Sequence, residues 1–394
     1  MGYCIWGGGG VNARFSRQAK SRVVVRLARV GEGAKLGVMA TSSLFLSVAE
    51  KLVRHPKRIV FPEGTNPQVV RAAARYAHLR LGPVVLLGQP DLIRRQAKTQ
   101  KVDLDRVMVL DPVEGQDRQM FKDHLRSEPG GAKLKLSAID DYISDPIVYG
   151  TLMLRFGQVD GLVAGVGAYS GSVLRPLIRM IPRLPHISRI SSATILECPD
   201  KTLGDGGLLV AGDAAVVPSP EVDELASTAV GLARLKMQIT GRRARVGLLS
   251  YSTKGSAALN EETGKVIQAV KKAQALAERI GLRADFDGEM QIDAALDPVK
   301  AKLKAPGSTV AGRADCLVFP DLNAGNIAIK SIQRFGTVKT YGNILLGLRL
   351  PAAEISRGAD EEEVLGVAAI VGLLAVEYRN LYPEPLSPVV ARGR

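Results

Sequence analysis

The 394-residue chain is short of several things that would have pointed to a particular chemistry. Cysteine is scarce: Cys4, Cys198 and Cys316 stand far apart, with no C-x-x-C pair. That spacing offers neither a zinc ligand set nor a disulfide framework, and buried thiols in a reducing cytoplasm are the expectation. Histidine is equally scarce. His55, His78, His124 and His186 form no H-E-x-x-H or other metal-ligand spacing, so no metal site is expected. The few aromatic residues are not interleaved with Lys and Arg in a basic stripe, so no nucleic-acid partner is expected. No apolar run reaches the ~18–20 residues that span a bilayer. The longest, 364–376, is of helix-core length, and no membrane partner is expected. The G-x-S-x-G elbow of serine hydrolases and the G-x-x-x-x-G-K-[ST] phosphate loop are both missing.

What the chain does have is glycine, aliphatic residues and positive charge. Its length suits two domains of ordinary size, and an apolar content of 46% is enough to give each a core. The formal net charge is +14, unevenly spread. Residues 1–38 hold seven Lys or Arg against the single acid Glu32, a net +6, which leaves +8 for the rest. A moderately basic body suits small anionic substrates. The first 38 residues, with Gly7–Gly10 and scattered arginines, look foreign to the body of the chain. They read as an Arg-rich targeting segment or, preferred, as a start assigned too early, with Met39 the initiator.

From residue 57 the pattern becomes regular. Strands are expected at 58–61, 84–87, 160–165, 193–197, 207–212, 246–250 and 316–319. Helices are expected at 68–80, 174–181, 221–237, 261–280, 324–335 and 360–378. Such alternation predicts an α/β fold with mainly parallel sheets, whose ligands sit beyond the carboxyl ends of strands. Chemistry is therefore sought in the strand-end loops. Gly165-Val166-Gly167-Ala168-Tyr169-Ser170-Gly171 has the look of a dinucleotide loop, but its third glycine comes one position late. It is weak evidence for NAD. A decarboxylating dehydrogenase is further disfavoured by the lack of a metal-binding aspartate cluster.

Several segments carry more information together than apart. They are Phe61-Pro62-Glu63-Gly64, Leu248-Leu249-Ser250-Tyr251-Ser252-Thr253-Lys254-Gly255-Ser256, Asp287-Gly288-Glu289 through Ala295, Phe319-Pro320-Asp321-Leu322-Asn323-Ala324-Gly325-Asn326, Tyr341 through Leu348, and Ile355-Ser356-Arg357-Gly358. In order and spacing this set resembles the phosphotransacetylase family, over roughly residues 57–381. The resemblance implies two α/β domains with a cleft between them, an architecture like that of isocitrate and isopropylmalate dehydrogenases. It places domain I at 39–187 plus 346–394 and domain II at 188–345. It also implies a homodimer that moves an acetyl group between coenzyme A and inorganic phosphate, with coenzyme A as substrate and no tightly bound cofactor.

That reaction joins two anions and needs a base for the thiol, cations for the phosphate and donors for a developing oxyanion. Ser356 and Arg357, just ahead of an acid-started helix, offer a hydroxyl and a planar fork of donors. From spacing alone they read equally well as a helix cap and an ion-pair partner; the resemblance implies that they are the catalytic pair. It implies a base seven residues after the serine, where this chain has Glu363 in place of the family's aspartate. It implies substrate binding by Arg175 and, less securely aligned, Arg126, with Ser170 in the same loop. The chain departs from the family at 168–172, where Ala168-Tyr169-Ser170-Gly171-Ser172 lacks the usual His and Asp. It departs again at Gln68 and Ala353, which replace an arginine and an asparagine. The alternatives that these changes motivate are a phosphate acyltransferase for a longer group such as butyryl, and a nonenzymatic coenzyme A-binding homologue.

Overall fold

The structure is a computed structural model and describes residues 42–128 and 136–381. The 1–38 segment, Met39 and Cys4 lie outside the described residues. The chain opens with α1 (Ser43–Arg54) and alternates through β1 (Ile59–Phe61), α2 (Pro67–His78), β2 (Val84–Leu87), α3 (Pro90–Thr99) and β3 (Val107–Leu110). Then come α4 (Arg118–Ser127), α5 (Leu136–Ser144), α6 (Pro146–Arg155), β4 (Gly161–Ala164) and α7 (Ser170–Met180). A second series runs β5 (Ser191–Glu197), β6 (Leu208–Gly212), α8 (Val222–Thr240), β7 (Ala244–Leu249), α9 (Glu261–Arg279) and β8 (Ala284–Met290). It continues with α10 (Ile292–Leu296), α11 (Pro298–Lys304), β9 (Cys316–Val318), α12 (Leu322–Phe335) and β10 (Lys339–Leu346). The chain closes with β11 (Ala352–Glu354) and α13 (Glu361–Leu381).

Local chemistry explains where many helices start. Asn66, Asp145 and Asp297 each precede a proline at the first helical turn and accept backbone N–H groups there, as Asn66 Oδ1 does from Gln68 at 2.9 Å. The side chain satisfies donors that the first turn leaves over, and the proline has no N–H to lose. The expected strands and helices fall within a few residues of those observed, except that α7 begins four residues before its expected start. Its first turn, Ser170-Gly171-Ser172, is made of poor helix formers.

The strands form one sheet in the order β3-β2-β1-β4-β11-β10-β5-β6-β9-β7-β8. Its outer parts are parallel, as βαβ crossovers require. In the middle, β11–β10, β10–β5 and β5–β6 pair antiparallel. The strands on one side of the β11–β10 boundary come from 59–164 and 352–354, and those on the other from 191–346. Strand direction reverses at that boundary, where the two series of strands meet. Helix α13 packs beside it. Its residues Val364, Leu365, Val367, Ala368, Ala369, Ile370 and Val371 are all buried, and it lies close enough to β4 that a side chain at Gly161 would strike Val371. A helix apolar on every side can only sit in an interior.

One buried ionic cluster braces the second half. The ammonium of Lys236 on α8 is 2.9 Å from Asp205 and 3.3 Å from Asp315, and it donates to the Arg243 carbonyl at 2.9 Å. Lys236 and Asp315 are almost wholly buried, and Asp315 also pairs with Arg245 at 3.0 Å. Without Lys236, Asp205 keeps only the exposed Arg242 and Asp315 only Arg245, so both acids lose the ammonium buried between them. Lys236→Ala is therefore expected to cost about 3–5 kcal/mol, read as a lower urea midpoint with the denaturant slope unchanged.

Candidate active site

The residues expected to carry chemistry are gathered by the loop after β4 and the segment after β11. The two are parallel neighbours, so both chains emerge at the same end of the sheet. Ile355 N–H donates to the Ala164 carbonyl at 2.7 Å and Gly358 N–H to the Val166 carbonyl at 3.1 Å. The contact is so close at Gly165 (φ +123°) that a Cβ would stand 2.3 Å from the Ile355 carbonyl oxygen. Only glycine fits, and its fit puts Ser356 where it is.

Glu63, the acid of the Pro62-Glu63-Gly64 turn, fixes the same loop. Its carboxylate accepts N–H groups from Gly165 at 2.6 Å, Val166 at 3.0 Å and Gly167 at 2.6 Å. It is a loop anchor, occupied by backbone. The blocks at 248–256 and 287–295 likewise brace each other. Glu289 accepts from the Ser252 hydroxyl at 3.0 Å and Gly255 N–H at 2.7 Å, while Lys254 pairs with Asp287.

Ser356, Arg357 and Glu363 meet at a cavity of about 440 Å³ that lies at the β4–β11–β10–β5 junction. Its walls include Ser170 at the start of α7, Thr194 on β5, Asn343 on β10, Glu354 on β11, and Asn326 and Lys330 on α12. Helix α12 can approach because Gly325 is bare: a Cβ there would stand 2.1 Å from the Asp213 carbonyl oxygen. The Asp321 carboxylate starts the helix by accepting Ala324 N–H at 2.9 Å.

One side of the cavity is cationic. Lys330 Nζ donates to Ser356 Oγ at 3.0 Å, which leaves the serine proton free to point into the cavity. The Arg357 guanidinium is exposed and stacks on the Tyr169 ring, 4.7 Å from its centroid. Among the described residues that ring is its only side-chain partner, so its donors remain available. Tyr169 stands where the family's polar run departs. Its loss would free Arg357 to wander at a cost of about 0.5–1 kcal/mol. Tyr169→Ala is accordingly expected to raise the KM for an anionic substrate a few-fold with kcat less affected, in steady-state kinetics.

The three acids that open α13 separate by helical phase. Glu361 pairs with Arg71 at 3.0 Å and Arg75 at 2.8 Å, tying α13 to α2. Glu363, two residues on and roughly 200° around the helix, lines the cavity instead. Burial pushes its carboxyl up, as does the neighbouring Asp360, against the pull of Lys330, to about 7. A carboxyl poised near neutrality in a cleft suits proton transfer.

The two other expected arginines are placed differently. Arg175 is exposed on α7 and folds back along the helix, its Nε 3.9 Å from where a Cβ on Gly171 would stand. Arg126 is exposed near the end of α4. Neither lines the cavity, whereas Ser170 does. Lys330 and Glu354 do not stand out in the sequence. Lys330 looks like any surface lysine on an amphipathic helix, and Glu354 is one acid in an apolar strand.

The site's blocks match known proteins as a set. Residues 43–372 match the family model described as phosphate acetyl/butaryl transferase. A phosphate acetyltransferase of Acetivibrio thermocellus is 35% identical over 84% of this chain and 98% of its own length. One of Thermoanaerobacterium thermosaccharolyticum is also 35% identical, over 84% of this chain and 99% of its own. The crystal structure of a phosphotransacetylase from Streptococcus pyogenes superimposes with a TM-score of 0.77 at 33% identity, covering 85% of this chain and 98% of that one. With the family model spanning most of its length, this chain belongs to the phosphate acetyl/butaryl transferase family.

Proposed function

We propose that the chain is a phosphate acetyltransferase that moves an acetyl group reversibly between acetyl-CoA and inorganic phosphate, by direct attack of the coenzyme A thiolate. The observation that carries this reading is the convergence of Ser356, Arg357, Lys330 and Glu363 on one cavity. In the direction of thioester formation, Glu363 takes the thiol proton and the sulfur attacks the carbonyl carbon of acetyl phosphate. The Ser356 hydroxyl donates to the carbonyl oxygen as it gains charge. Arg357 and Lys330 hold the phosphoryl oxygens. The carbon–oxygen bond then breaks, its electrons stay with phosphate, and the proton held by Glu363 passes to the departing oxygen. Glu363 thus ends as it began, and the overall reaction releases no proton. Coenzyme A is a substrate in this scheme, and no tightly bound cofactor takes part. A homodimer in the cytoplasm, serving acetate metabolism, belongs to the same proposal and rests on the family alone.

Direct attack and a covalent acyl-enzyme differ in one measurable way. Labelled inorganic phosphate is incubated with acetyl phosphate and the protein, with and without coenzyme A. Direct attack predicts exchange of label only when coenzyme A is present. Exchange in its absence would mean that the protein itself holds the acetyl group. The same preparation, offered acetyl, propionyl and butyryl phosphate, is expected to favour acetyl; preference for butyryl would move the chain to the longer-chain activity.

A further inference from the structure

A second group of residues lining the cavity has a different chemistry from Lys330 and Arg357. Glu354 is 2% exposed and lines the cavity floor. One carboxylate oxygen accepts the Ser170 hydroxyl at 2.7 Å, and the other accepts Asn343 Nδ2 at 3.0 Å. Asn343 Oδ1 accepts the Thr194 hydroxyl at 3.1 Å. These bonds run from the start of α7 across β11, β10 and β5. The hydroxyl hydrogens of Ser170 and Thr194 are both spent within the chain, so these two hydroxyls can turn only lone pairs to the cavity. Among the described residues no Lys, Arg or His pairs with Glu354, so no side-chain cation answers this buried acid. That is costly unless something else completes it.

A phosphoryl group cannot complete it, because two anions would meet. The cationic wall takes that group, and the wall around Glu354 suits a substrate N–H. Coenzyme A carries one close to its reactive end: the amide of its cysteamine unit is separated from sulfur by two carbons. Glu354 ends β11 and Ser356 follows two residues on, a separation of at most about 7 Å. A hydrogen bond of about 3 Å followed by the reach from amide nitrogen to sulfur covers a span of that order.

We propose that Glu354 receives the cysteamine amide N–H of coenzyme A and so aims the thiol at Ser356 and Glu363, while Lys330 and Arg357 take the phosphoryl group. The polarity of the cavity sorts the two anionic substrates into one orientation. This inference rests on the acetyltransferase reading and adds a positioning residue to it.

The test compares coenzyme A with an analogue in which that amide N–H is replaced by an ester oxygen, with acetyl phosphate as donor. Hydrogen bonds to charged groups are strong enough that the wild-type protein is expected to prefer coenzyme A by about ten-fold or more in kcat/KM. In Glu354→Gln the charge is gone and the single acceptor oxygen is shared with Ser170, so the preference is expected to shrink to within about three-fold. The ratio of two rates on one sample does not depend on how much of the variant is folded. If the glutamine variant has no activity at all, Glu354→Asp, which withdraws the carboxylate by one methylene, is expected to narrow the preference likewise. Equal use of both acceptors by the wild-type protein would overturn the inference, as would a variant that keeps the wild-type ratio. A wild-type protein that acylates neither acceptor would instead sink the acetyltransferase reading beneath it.

Discussion

Replacing Arg357 by alanine is expected to lower kcat/KM for thioester formation by about 10²–10³-fold, the usual effect of removing one preorganised donor from developing charge. The expectation comes from how little else holds this guanidinium. It stacks on Tyr169 and has no carboxylate partner among the described residues, so its loss leaves no stranded charge and little reason to unfold. The activity change should therefore come with a melting temperature near that of the wild type. Arg357→Lys is expected to recover only part of the loss, because a point charge does not reproduce a planar fork of donors and stacks less well on a ring. Steady-state kinetics on the three proteins, with circular dichroism for folding, decide the matter. A fully active alanine variant would remove Arg357 from the site.

Glu363→Gln is expected to be the second large loss, about 10²–10⁴-fold, as for other positioned acid–base groups. Here pH adds a sharper signature. Burial and Asp360 raise the carboxyl to about 7, with Lys330 opposing. The active form of a base is the ionised one, so the wild-type rate of thioester formation should rise with pH through about 7 and then level off. The glutamine variant should lack that limb. Stability moves the other way. A carboxyl whose folded value is raised contributes stability that is fully present below its unfolded value and is lost as pH rises through the folded one. Relative to Glu363→Gln, the wild-type protein should thus be less stable at pH 8 than at pH 5. Thermal melts at the two pH values check this. The group is kept where it costs stability, which is what a catalytic position looks like.

Much of the fold can be read in the sequence, for physical reasons. Val84–Leu87 is an unbroken apolar run between Gly82-Pro83 and Gly88, and a strand buried on both faces has no other pattern to show. Strand β10 is legible as a block but not as a strand. Its run Lys339–Leu346 contains Gly342-Asn343, poor strand formers, and its pairing with β5 shifts between Tyr341 and Ile344. The antiparallel middle of the sheet, on which the cavity depends, is hidden with it.

The site is legible where residues act locally and obscure where they act across the fold. Ser356, Arg357 and Glu363 lie within eight residues, and their motif points to them. Three consecutive acids cannot be told apart until helix phase gives Glu361 to Arg71 and Arg75 and turns Glu363 to the cavity. Lys330 is 26 residues from Ser356, and Glu354 is 184 from Ser170. No spacing rule joins such pairs; the sheet order does.

The claim at the centre is that acetyl phosphate and coenzyme A meet in this cavity and exchange an acetyl group directly. Purified protein given both substrates, with thioester formation followed by its ultraviolet absorbance, tests it most directly. The account predicts turnover that saturates in each substrate, needs no NAD and falls by at least about 10²-fold in Arg357→Ala. Absence of turnover with every short acyl phosphate, or turnover untouched by that substitution, would contradict it.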